Sequence, residues 1–167
     1  GGVILIVLTA LVGDFSYNGA GTELMERALL EGETEPFAFL LKMIFTGLTL
    51  AAGFKGGEIV PAFCTGATFG CLFGQMTGMS PTFCGALAMV AVFCGVTNCP
   101  IASMLVGFEL FGFQGAIFIL LVVSLSYLFS GYKGLYGEQI IVYSKYHPKF
   151  INRLSGDEHF DGKDYEE

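Results

Sequence analysis

Lys55-Gly56-Gly57-Glu58-Ile59-Val60-Pro61 is the stretch on which the reading of this chain turns. The glycine-rich loop opens onto a run, Ile59 to Phe108, that contains no Asp, Glu, Lys or Arg. That run exceeds two membrane spans of about 20 residues each, and a soluble domain of 167 residues has no interior large enough to hide it. Gly53, Gly56 and Gly57 permit unusual backbone dihedrals, and Pro61 suits a first helical turn, where its missing N–H costs nothing. A helix that begins inside a membrane leaves its first amides unpaired, and a bound anion can satisfy them. The amides of Glu58 and Ile59 are therefore placed to meet one small anion. An ordinary Gly-rich turn between two spans is the bland reading of the same residues.

Composition agrees with lipid as the solvent. Hydrophobic residues make up 53% of the chain and charged ones 14%, against about 25% charged in an average soluble domain. The 24 glycines suit helices whose backbones approach closely in a bilayer. The chain starts at Gly1-Gly2 and runs at once into Val3-Ile4-Leu5-Ile6-Val7-Leu8, with no Met and no basic flank, which reads as a piece entered in the middle of a helix. The net charge of −7 comes from the two ends and gives no indication of nucleic-acid binding. Cys64, Cys71, Cys84, Cys94 and Cys99 are odd in number and form no CxxC pair, so they read as small polarizable packing residues, and no metal or cofactor is expected.

Glycine and proline divide the rest. Residues 13–36 are polar and expected in water or at the interface, with a short amphipathic helix from Thr22 that Gly32 stops. Residues 37–52 are apolar except for Lys42, which is expected to snorkel. Helices follow over 61–78 and 81–95, a break at Thr97-Asn98-Cys99-Pro100, then helices over 101–111 and 115–130. Several are too short for a bilayer of about 30 Å, so broken helices are the expected pattern. Residues 139–154 read as an amphipathic tail. Lys133, Lys145, Lys149, Arg153 and Lys163, five of the eight basic residues, lie after the last span, which puts the C-terminus in the cytoplasm by the positive-inside rule. Residues 157–167 read as a frayed acidic tail.

Gly57-Glu58-Ile59-Val60-Pro61 resembles the GxFxP anion-binding motif of the CLC chloride channel and transporter family. Cys94-Gly95-Val96-Thr97-Asn98-Cys99-Pro100-Ile101-Ala102, followed by Gly107-Phe108-Glu109-Leu110, is similar to that family's next helix pair. Ser130-Gly131-Tyr132-Lys133-Gly134-Leu135-Tyr136 resembles the start of its final membrane helix. The resemblance implies an all-α integral membrane protein of broken, tilted helices, the second inverted-repeat half of a CLC-type fold, with the N-terminal half absent. Residues 1–136 would be the membrane-embedded part, and 137–167 the end of the last helix and a cytoplasmic tail. It also implies an anion site built from Gly57, Glu58, Ile59 and the hydroxyl of Tyr136, with two inverted repeats pointing helix N-termini at one midplane site. An O–H donor replaces a halide's lost hydration without a fixed cation that would trap it. Tyr132, four residues earlier, competes with Tyr136 for that role, and an interfacial aromatic anchor is the structural alternative.

Two departures bear on the substrate. Ile59 stands where the motif usually has Phe, which leaves the backbone donor but alters the pore wall. Glu58 reads either as a capping carboxylate favoured by the helix dipole or as a proton-coupling residue. An ionised Glu beside an anion path must turn away, pair with Lys55, or be protonated when the anion is bound. Gly57-Glu58 resembles the fluoride/proton antiporter branch, yet that branch has a Thr where this chain has Val60, so chloride leads narrowly. Glu109 is the only charge between Ile59 and Ser130 and is a functional candidate by default. The helices over 101–130 would form a homodimer interface by resemblance, which gives Glu109 a structural role. The expected partners are a halide such as chloride, protons, the lipid bilayer of the cell membrane and a second copy. An enzyme is not expected, because there is no HExxH or GxSxG and both His147 and His159 lie in the polar tail. A membrane anchor or scaffold, the remaining class, would have longer, smoother spans.

Overall fold

The computed structural model describes residues 2–54, 56–148 and 150–155. Seven α-helices follow one another: α1 (Gly2–Val12), α2 (Thr22–Glu26), α3 (Ala38–Ala51), α4 (Ile59–Thr77), α5 (Pro81–Thr97), α6 (Pro100–Phe111) and α7 (Ala116–Phe129). A π-helical turn (Arg27–Glu31) extends α2, and a 3-10 turn (Phe113–Gly115) leads into α7. Two strands close the described chain, β1 (Ile140–Tyr143) and β2 (Phe150–Leu154). Of the described helices, α4 alone is long and apolar enough to cross a membrane.

The boundaries follow local chemistry. Gly32 ends the π-helical turn at φ 69° and Gly78 ends α4 at φ 75°, left-handed positions that glycine takes without a Cβ penalty. Pro81 and Pro100 open α5 and α6 in the first turn. Between those two helices Asn98 sits at φ 54°, a conformation that Asn tolerates better than most residues.

Small residues are prominent in the packing of the long helices, and large apolar ones are widely exposed. Buried positions on the long helices are held by Gly66, Ala67, Gly70, Cys71, Cys94 and Ser103. Ile117, Leu121 and Leu125 form an outward apolar stripe along α7, while Ile119 and Val123 of the same helix are buried with Val90 and Cys94. Water offers no reason for that arrangement, and lipid does, since helices there associate by close backbone approach rather than by hiding apolar surface. α4 and α5 show how close. A Cβ on Gly70 would lie 2.3 Å from the Cys84 carbonyl oxygen, and one on Gly74 2.7 Å from Pro81 Cα. Thr65, Thr68, Thr97 and Ser103 donate their hydroxyls to the carbonyl four residues back, which satisfies each polar group inside its own helix.

Two expectations need correcting. Lys42 does not snorkel: it is 1% exposed, and its Nζ donates to the carbonyls of Tyr17 at 3.0 Å and Gly19 at 2.6 Å. The loop between α1 and α2 folds over α3 and brings acceptors to the ammonium, so the side chain need not reach for water. The tail after residue 137 does not finish a helix. β1 and β2 pair antiparallel, with Ile140 opposite Leu154 and Tyr143 opposite Phe150. The run Ile140-Ile141-Val142-Tyr143 is β-branched and aromatic, a composition that favours a pleated, half-buried surface.

Candidate functional site

The expected helix start is present. Glu58 occupies the N-cap position of α4 at φ −91°, ψ −17°, and its carbonyl accepts the Ala62 N–H at 3.2 Å. Its carboxylate makes no cap hydrogen bond, so only the helix dipole acts on it there. Pairing with Lys55 lies outside the described residues. The N–H groups of Glu58, Ile59 and Val60 precede any intrahelical acceptor, and among the described residues no backbone carbonyl takes them. Gly56 and Gly57 are exposed in front of them, while Glu58 and Ile59 are half-buried. These amides stand at the positive end of a 19-residue helix, where the helix dipole favours an anion.

A cavity of about 340 Å³ adjoins this start, walled by Tyr17, Lys42, Thr46, Thr49, Gly57 and Val60 among others. Tyr17 closes it from the α1–α2 loop, and its hydroxyl donates to Glu35 Oε2 at 2.8 Å. Burial first, then that bond, pushes the Tyr17 hydroxyl far above the ordinary tyrosine range, so it remains a proton donor. Asp14 holds the same loop through the Ser16 N–H at 2.9 Å and hydroxyl at 2.8 Å. Those bonds hold its carboxyl below the usual value.

Tyr136 lies beyond α7 and is not among the residues that line this cavity. Its segment is fixed by the Leu135 N–H donating to the Val96 carbonyl at 2.7 Å and the Gln139 N–H donating to the Tyr136 carbonyl at 3.1 Å. The ring is half exposed, and its hydroxyl has no partner among the described residues. Tyr132, the competitor, is engaged: its hydroxyl shares a 2.8 Å bond with Ser144 Oγ and accepts the Lys145 N–H at 3.0 Å. Glu109 is exposed on α6.

The sequence reading missed two polar constructions. One is the burial of Lys42 on the cavity wall. The other is a clasp at the far end, where Lys145 Nζ bonds Asn98 Oδ1, the Tyr127 carbonyl at 2.8 Å and Ser130 Oγ at 2.9 Å. The ammonium also stands 4.1 Å from the centre of the Tyr127 ring, a cation–π distance. Asn98 Nδ2 adds a bond to the Lys133 carbonyl at 3.0 Å. A lone basic residue in an apolar run and an Asn before Pro100 were the only signals for either.

Residues 1–131 match the family described as Voltage gated chloride channel. A chloride/fluoride channel protein of Pseudomonas syringae pv. tomato is 38% identical over 112 residues, 67% of this chain and 25% of that protein. An uncharacterized protein of Methanocaldococcus jannaschii, MJ0305, is 27% identical over 120 residues, 70% of this chain and 30% of that protein. The crystal structure of a CLC-type fluoride/proton antiporter superposes with a TM-score of 0.73 at 32% identity, over 77% of this chain and 32% of that one. The chain thus spans about a quarter to a third of the length of the proteins it matches.

Proposed function

The chain belongs to the CLC family of voltage gated chloride channels, and on that premise we propose that it forms one half of a halide-transporting membrane protein. The observation that supports the reading is the start of α4, where three consecutive amides without carbonyl partners among the described residues follow two exposed glycines beside a cavity. The amides of Glu58 and Ile59 and the hydroxyl of Tyr136 are this half's ligands for the anion. Backbone amides and one O–H strip a halide of water while holding it loosely enough to release it.

Fluoride is the cargo we favour, in exchange for protons. The Glu58 carboxylate makes no cap hydrogen bond at the anion's helix end, and a matching structure bears fluoride in its name while a relative's name carries both chloride and fluoride. Chloride is the second reading, because Val60 replaces the Thr expected in the fluoride branch. The assembly we propose is a homodimer in the cell membrane, joined through the outward apolar faces of α6 and α7, where Ile101, Leu105, Ile117 and Leu121 stand exposed. The excess of basic residues after α7 supports a cytoplasmic C-terminus.

The test is simultaneous halide and proton flux in liposomes containing the full-length protein. Glu58→Gln is expected to uncouple protons from fluoride, and Tyr136→Ala to reduce halide flux by about tenfold, the loss of one hydrogen bond to a charged group. Unchanged flux and coupling in both variants would refute the assignment.

A further inference from the structure

Asn98 stands where α5 ends, in the left-handed region at φ 54°, ψ 29°, and is 6% exposed. Its side chain joins two parts of the chain. Oδ1 accepts from Lys145 Nζ and from Ser130 Oγ at 3.2 Å, while Nδ2 donates to the Lys133 carbonyl at 3.0 Å. An ammonium can only donate, so Lys145 fixes which end of the amide faces it and leaves the N–H end for Lys133. The end of α5 adds a second tie, the Val96 carbonyl taking the Leu135 N–H at 2.7 Å. From the other side Ser155 Oγ donates to the Tyr132 carbonyl at 3.1 Å. Gly134 lies between these fastenings, and a Cβ there would fall 3.1 Å from Asn98 Nδ2 and 3.1 Å from Ser155 Oγ. Residues 132–135 are thus held on both sides, and Tyr136 is the next residue along.

This end of α5 is also the end that lies beside the start of α4. Along that interface Gly74 faces Pro81, Gly70 faces Cys84 and Gly66 faces Met89, so the two helices run antiparallel. The Phe63 and Phe93 rings meet at 4.9 Å further towards the same end. A continuous line of contacts therefore leads from the first turns of α4 across to α5, and through Asn98 to the segment that carries Tyr136. Asn meets two requirements at once: it tolerates a positive φ, and its amide offers both an acceptor for Lys145 and a donor for Lys133. Gly would meet the first alone, and Asp would keep the acceptor but lose the donor.

We propose that Asn98 is a positioning residue for the anion site, setting where the Tyr136 hydroxyl stands relative to the α4 amides and hence the affinity for the halide. The proposal rests on the reading of Tyr136 as a halide ligand and deepens it by naming a residue that acts only through that hydroxyl. Lys145 serves the same end one step further back, by holding the Asn98 amide in the orientation that reaches Lys133.

The experiment uses the full-length protein in liposomes, with initial fluoride flux and initial chloride flux each measured against halide concentration. It compares Asn98→Asp, Tyr136→Phe and the double variant. Asn98→Asp keeps the acceptor for Lys145 and the shape of the side chain, but sets a carboxylate oxygen against the Lys133 carbonyl. It is expected to raise the half-saturating halide concentration about threefold with a smaller change in maximal flux, and Tyr136→Phe to raise it about tenfold. The double variant should match Tyr136→Phe alone, because Asn98 then has no hydroxyl left to place. Two results would overturn the proposal and leave the halide reading standing: effects of the two substitutions that multiply, or an unchanged half-saturation in Asn98→Asp while Tyr136→Phe is impaired. Should Asn98→Asp not fold, Gly134→Ala tests the same point by wedging a methyl group between the segment and Asn98. It too should raise half-saturation, and only while the Tyr136 hydroxyl is present; an unchanged value would again overturn the proposal. A Tyr136→Phe variant with wild-type half-saturation would instead refute Tyr136 as a ligand, and this inference with it.

Discussion

The α4–α5 interface and the β1–β2 end of the chain are held together by opposite means. α4 and α5 touch backbone to backbone, with Gly66, Gly70 and Gly74 each facing atoms of α5 within 2.8 Å of where a Cβ would stand. No hydrogen bond is required there, and none of its geometry depends on charge. The strand pair is secured by polar atoms, above all Lys145 gathering Asn98, Tyr127 and Ser130. The difference separates two solvents. Close packing without hydrogen bonds works where lipid surrounds the helices, while a multidentate ammonium clasp suits a segment at the edge, where water competes for every donor and each bond gains only about 1 kcal/mol net.

The comparison breaks most visibly at Gly70. Gly70→Leu places side-chain atoms inside the Cys84 carbonyl and the Ala88 side chain, so α4 and α5 must separate, at a cost of several kcal/mol. The expected outcome is loss of monodisperse full-length protein in detergent, read by size-exclusion chromatography and thermal unfolding. An unchanged Tm would show that the helices are not in the contact described. Lys145→Met comes next. It removes three hydrogen bonds and leaves Asn98 Oδ1 without its ammonium, for about 2 kcal/mol of local stability. Hydrogen exchange should speed up over residues 131–148 and stay unchanged in α4 and α5. Exchange that rises in both regions would mean that the two are not independent.

Acidity sharpens the contrast with a smaller effect. The Asp14 carboxyl is lowered from 3.8 by its bonds to Ser16. A lowered carboxyl contributes stability above its unfolded value that is lost as pH falls through the folded one. Protection of the Ser16 amide is therefore expected to decline below about pH 3.8, in a loop held by polar atoms, while the glycine-packed amides of α4 keep theirs. Asp14→Asn should remove that pH dependence.

Much of the helical frame was legible because its boundaries are local. Gly32, Gly78, Pro81 and Pro100 act through their own dihedrals or the missing N–H, and each ends or begins an element where expected. Lys42 was misread because its acceptors lie 25 and 23 residues away in the chain, and only folding the loop over α3 brings them together. The strand pair was missed because pairing is non-local. Ile140 to Tyr143 carried a strand composition, but its partner begins at Phe150, amid basic residues that suggested an amphipathic tail. The bonds from the Tyr132 hydroxyl to Ser144 and Lys145 were not legible either, because those partners lie 12 and 13 residues further along the chain.

The carboxylate of Glu58 stands at the head of α4 without fastening it. A side chain that bolts a helix together cannot change partner without loosening the helix, so its chemistry and the scaffold's integrity rise and fall together. Here the two are uncoupled. The first turn is secured by the Glu58 carbonyl and by Pro61, whose carbonyl takes the Thr65 hydroxyl, and the acid group can change rotamer while the helix behind it keeps still.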